Sequence, residues 1–177
     1  MTLTTTRDYA ESGLTIREAM LDHAKRFPNK AKRPDHILWA GHRIKTADVF
    51  HVPQRGIVRA EFLSAMEGVE QGFDIQLDGG WVELEQGEHV PHLRTWKDKD
   101  FDDVVEYPFF SPDERLWVWN VYKMKYPGGQ IVEEKWTENA GFWIEHISEN
   151  ERIYHCSHGM ATPPDFDSLV FKVRVNP

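Results

Sequence analysis

The chain has 177 residues, 40% of them hydrophobic and 28% charged, which is enough apolar content for one packed core and too much for general disorder. Its 29 acidic and 21 basic side chains give a formal net charge of −8, a field that repels phosphate backbones and argues against nucleic acid as a partner. The lone cysteine, Cys156, rules out an intrachain disulfide, and no apolar run approaches the ~20 residues of a membrane-crossing helix.

Residues 1–13 are polar and Thr-rich and read as a flexible lead-in, ahead of a single domain over 14–177. They hold neither the basic nor the apolar part of a secretory signal, so a cytoplasmic protein is expected. Thr15 followed by Glu18 has capping-box spacing, and Ile16, Ala19, Met20, His23 and Phe27 then recur on one helical stripe up to Pro28. One helix is predicted over about 15–27. The basic residues Lys25, Arg26, Lys30, Lys32 and Arg33, at its end and beyond, read as a solvated face. Short extended pieces are expected in ILWAGHRI, broken at Gly41, and in TADVFHVP.

From Gly56 the apolar period becomes two, and strands are predicted through 57–175. IVRAEFLSAM puts Val58, Ala60, Phe62 and Met66 on one face. In GFDIQLDGGWVEL, Phe73, Ile75 and Leu77 alternate with Asp74 and Gln76, and Asp78-Gly79-Gly80 predicts a hairpin turn. HVPHLRTW is one short extended segment, KDKDFDD a charged loop, and VVEYPFF a strand closed by Ser111-Pro112-Asp113. RLWVWNVYKMKY is apolar on both faces, which predicts cover on both, with the helix against its outer side. IVEEKW, FWIEHI, RIYHCSH and LVFKVRV complete a meander.

Nine or ten strands without βαβ alternation predict a mainly β fold. The expected form is an antiparallel up-and-down β-barrel of calycin-like architecture, or a strongly curved sheet, with the N-terminal helix packed outside. Such a barrel leaves a partly hollow interior.

Seven Trp, ten Phe and five Tyr exceed what a core of this size needs, and they point to a small apolar or aromatic molecule as ligand. Trp81, Trp117, Trp119, Trp136 and Trp143 are the candidate walls. The candidate catalytic side chains are His146, Glu134, Tyr122, Tyr154 and His155. His146 shares a face with Phe142 and Ile144, Glu134 lies among Val132 and Trp136, and a histidine or carboxylate in an apolar setting moves protons near neutrality. The corresponding function is binding of the ligand, extending to a cofactor-free lyase, isomerase or cyclase step, with no cofactor and no metal. Two alternatives compete. One is a metal-dependent barrel enzyme with ligands among His89, His92, His146, His155 and His158, although H-x-x-H on a strand sends its two rings to opposite faces. The other is a homodimeric interaction protein that closes over the aromatics of 115–126. No glycine-rich phosphate loop and no G-x-S-x-G elbow occurs.

Overall fold

A computed structural model describes residues 7–98 and 102–177 of the chain. One α-helix, α1 (Ile16–Arg26), is followed by the short strands β1 (Ile37–Trp39), β2 (His42–Ile44) and β3 (Asp48–His51). Next come β4 (Arg55–Ala65), β5 (Gln71–Gln76), β6 (Trp81–Glu83), β7 (His89–Val90), β8 (His92–Trp96) and β9 (Val104–Phe110). The chain ends with β10 (Arg115–Lys125), β11 (Ile131–Glu134), β12 (Gly141–Ser148), β13 (Glu151–Ser157) and β14 (Leu169–Asn176). Residues 1–6 of the predicted lead-in and 99–101 of the charged loop lie outside the described residues. Residues 7–13 are tied into the fold: Tyr9 is fully buried and its hydroxyl donates to Asp22 Oδ2 at 2.6 Å.

The mainly β, antiparallel expectation holds, and the strands form two larger sheets. The first runs β8–β5–β10, with β3 and β11 end to end along the free side of β10. The second runs β12–β13–β14–β4–β9–β6–β7, and a separate hairpin joins β1 to β2. Neither larger sheet closes on itself. They face each other across one core, where the Phe73 ring stacks on Phe171 at 4.8 Å and tilts against Phe62 at 5.2 Å. Space drawn as hollow from the sequence is occupied by side chains such as Phe50, Phe109, Phe142 and Tyr154, all at most 2% exposed.

Polar bonds stitch the layers as well. Asn120 donates to Ser157 O at 3.0 Å and Gln71 to Ser168 O at 2.8 Å, so each buried amide crosses from the first sheet to the chain of the second. Fully buried Asp48 accepts from Tyr154 Oη at 2.7 Å and from Arg152 Nη1 at 2.6 Å, with Lys45 at 3.3 Å.

Three local expectations are corrected. The helix does not cover β10. Its apolar side, Ile16 and Ala19, packs with Tyr9, Ile37, Trp39 and Ile44, and Trp143 flanks that cluster. The Asp78-Gly79-Gly80 turn does not close a hairpin, because β5 pairs with β8 and β10 while β6 pairs with β7 and β9 in the other sheet. Gly80 permits the change of sheet: a Cβ there would stand 2.0 Å from Phe110 O. Pro91 likewise divides HVPHLRTW, leaving His89 in β7 and His92 in β8, on different sheets. Among the described residues no helix is long and apolar enough to cross a membrane.

Candidate functional site

The outer face of the first sheet holds a row of side chains fixed by register. Asp74 on β5 stands directly opposite Trp119 on β10 and opposite Arg94 on β8. His92 precedes Arg94 by two residues and therefore shares its face. These residues converge on one carboxylate. Arg94 Nε donates to Asp74 Oδ1 at 2.7 Å and Nη2 to Oδ2 at 2.8 Å, while Trp119 Nε1 donates to Oδ2 at 2.7 Å. His92 Nε2 lies 2.9 Å from the same Oδ2.

Asp74 is 0% exposed, yet His92 keeps 38% of its side chain open. A buried carboxylate is tolerable only when its acceptor sites are filled by donors, and here a bidentate guanidinium, an indole and an imidazole fill them. Arg94 also donates from Nη1 to Glu133 Oε2 at 3.0 Å, so one guanidinium serves two carboxylates. Its hydrogen bonds to Asp74 hold the guanidinium more firmly protonated than an ordinary arginine.

Trp119 is the hub of an aromatic surface. Its ring lies 5.8 Å from His92 and 5.1 Å from Trp136, and the Lys135 ammonium sits over both indoles at 5.0 and 4.5 Å. Trp136 adopts φ +58°, a left-handed backbone that disfavours so bulky a residue, and remains 41% exposed. The aromatic character of β10's outer face is thus covered within the chain, by Trp136 and Lys135 at Trp119.

Of the five sequence-predicted side chains, Tyr122 and Glu134 are brought together and the other three fall in separate places. Tyr122 and Glu134 are register partners on β10 and β11. The Tyr122 hydroxyl is hydrogen-bonded to Thr137 Oγ1, and Glu134 accepts from Tyr126 Oη at 3.2 Å. Tyr154 is in the core on Asp48, and desolvation there pushes its phenol well above the ordinary value. His146 lies opposite Arg152, not opposite Tyr154 or His155, and is exposed near the end of β12. His155 is on the outer face of the second sheet, stacked on Trp143 at 3.9 Å, and His42 also stacks on that indole at 4.7 Å. Its Nε2 is 3.7 Å from Glu145, and burial lowers its pKa.

The other named histidines and tryptophans are scattered too. His89 stacks on Trp81 at 3.6 Å, and His158 is buried after β13. Among the described residues no group of three or more His, Cys, Asp or Glu side chains is placed to hold a metal ion. Asp74 and Arg94 were not among the sequence candidates, and His92 entered only as a metal ligand. The signal for them was the polar alternation Asp74/Gln76 and His92/Arg94 on two short strands, which looks like solvent-facing sequence until the strands are paired. No family model, curated protein or solved structure matches the chain.

Proposed function

We propose that the chain is a cofactor-free proton-transfer enzyme for a mid-sized aromatic molecule, with His92 as general base. The observation that carries this is the 2.9 Å contact between a part-exposed imidazole and a fully buried carboxylate. Ionised Asp74 only accepts hydrogen bonds, so His92 Nε2 bears a proton and the neutral ring carries its lone pair on Nδ1. A carboxylate behind a histidine fixes its tautomer and stabilises the imidazolium formed when it takes a proton.

The neighbouring groups supply the rest of the chemistry. Trp136 offers an open indole surface for an aromatic substrate, and the ligand lies on the outside of the sandwich, not within a barrel. As Nδ1 removes a proton from substrate carbon, negative charge develops on the substrate, and the Lys135 ammonium beside the indoles stabilises it. Return of the proton to a second carbon gives an isomerase; departure of a leaving group gives a lyase.

A test that does not require the natural substrate uses 5-nitrobenzisoxazole. A base removes its C3 proton, the electron pair forms the nitrile, the N–O bond breaks, and 2-cyano-4-nitrophenolate is released. The protein is expected to accelerate this reaction above free imidazole at equal concentration, and His92→Gln to lower the rate by about a hundredfold. Unchanged turnover by His92→Gln in a folded protein refutes the proposal, as does a wild-type rate no higher than that of imidazole.

A further inference from the structure

A second site lies away from the His92 face, in the loop between β13 and β14. A cleft of about 830 Å³ opens there, lined by His42 and Trp143 and by residues of the 158–167 segment. This volume is in the range of small-molecule sites. The loop is anchored internally: Asp165 N donates to Ser157 Oγ at 3.1 Å, Ser168 Oγ to Asp165 O at 2.6 Å, and Asn139 Nδ2 to Ala161 O at 2.6 Å. Gly159 packs so closely under the Tyr122 hydroxyl that a Cβ would stand 1.9 Å from it. The cleft is therefore held open by the fold.

Its chemistry is specific. Met66, Met160, Pro163, Pro164 and Phe166 supply the apolar half of a mixed lining, and both methionines are 38% exposed. His158, 6% exposed, also lines it. His158 Nδ1 accepts the Met160 backbone N–H at 3.1 Å, so the neutral ring carries its proton on Nε2. Burial lowers the His158 pKa and keeps that ring neutral. Nε2–H has no hydrogen-bond acceptor among the described residues. Asp165 and Asp167, on the same cleft, form no ion pair among the described residues and repel an anionic ligand.

We infer that this cleft binds a mid-sized apolar molecule bearing one uncharged hydrogen-bond acceptor, such as a ketone or ester carbonyl, with His158 Nε2–H as its donor. The acceptor completes a nearly buried donor, the methionines and prolines adapt to the apolar body, and the aspartates discriminate against carboxylates.

Three probes of one skeleton test this by ¹H–¹⁵N NMR titration: benzophenone, diphenylmethane, which lacks the acceptor, and 4-benzoylbenzoate, which adds a carboxylate. Benzophenone is expected to shift the amides of 158–167 and the Trp143 indole, with affinity at least tenfold above either of the others. His158→Phe should abolish the preference for benzophenone over diphenylmethane. Met160→Ala, which leaves the donor in place, should weaken both while preserving their ratio, and it covers the case in which His158→Phe does not fold. Equal affinity for benzophenone and diphenylmethane, preferred binding of the carboxylate, shifts centred on His92 and Trp136, or no binding up to the solubility of benzophenone would each overturn the inference. The His92 proposal stands or falls separately, because its kinetic variants lie on the other sheet.

Discussion

At Asp74 the cost of burying a charge is met by side chains of unequal importance. Arg94 supplies two of the four donors and, among the described residues, the one permanently charged partner, so Arg94→Met strips a fully buried carboxylate of its guanidinium counterion. The expected loss is about 3 kcal/mol or more by urea denaturation. Asp74→Asn should cost less, because the guanidinium it releases is partly exposed and still bonded to Glu133. Trp119→Phe keeps most of the ring but removes one donor to a charged group, for a loss of about 2 kcal/mol. The reverse order, with Trp119→Phe costing more than Arg94→Met, would mean that packing and not charge dominates the cluster. A pH effect follows from His155 and His158, whose folded-state values burial lowers below the ordinary 6.5. Above 6.5 both rings are neutral in either state and add no slope. As pH falls from 6.5 through the folded-state values the unfolded chain binds protons first, so stability decreases. Denaturation curves across this window should show that loss, and a His155→Gln, His158→Gln double variant should flatten it.

Elements differ in how much of their fate is local. The helix start was legible because a capping box involves four consecutive residues: Thr15 Oγ1 accepts from Glu18 N at 3.1 Å and Glu18 Oε1 from Thr15 N at 3.3 Å. Thr15→Ala should cost about 1 kcal/mol by thermal or urea denaturation. Strand alternation was legible as well, placing Phe73 and Ile75 inward and Asp74 outward. The partner of each strand was not. Asp78-Gly79-Gly80 has the composition of a hairpin turn, but close contact of Gly80 with Phe110 hands the chain to the opposite sheet, and nothing in the turn itself encodes that contact. The same gap hid the candidate site: alternation marks Asp74 as facing away from the core, but only pairing with β8 and β10 brings Arg94 and Trp119 over it. Gly72 reports on that pairing. A Cβ at this position would stand 2.1 Å from Thr95 O, so Gly72→Ala must push β8 away from β5 and displace Arg94 from Asp74. The expected result is a loss of about 1–3 kcal/mol together with loss of benzisoxazole turnover; full turnover in the variant would show that the β5–β8 spacing does not set the site.

On the scale of the molecule, two open sheets share an interior filled by aromatic and aliphatic side chains, and both proposed sites occupy outer surfaces or loops. The abundance of aromatic residues raises the expectation of a ligand, but their division between core stacking, as at Phe73 and Phe171, and outer platforms, as at Trp119 and Trp136, depends on pairings between distant strands. Independence of the two surfaces predicts that saturating benzophenone leaves 5-nitrobenzisoxazole turnover unchanged, and competition between them would place both probes in one site. In the proposed function, buried Asp74 pins the His92 tautomer and leaves Nδ1 as the base. A long-range ¹H–¹⁵N correlation spectrum of the histidine rings, assigned with His92→Gln, measures this directly. In the neutral ring the proton is expected on Nε2 in the wild type, with that preference weakened in Asp74→Asn. A His92 ring protonated at Nδ1, or one mixing both tautomers equally with and without Asp74, would contradict it.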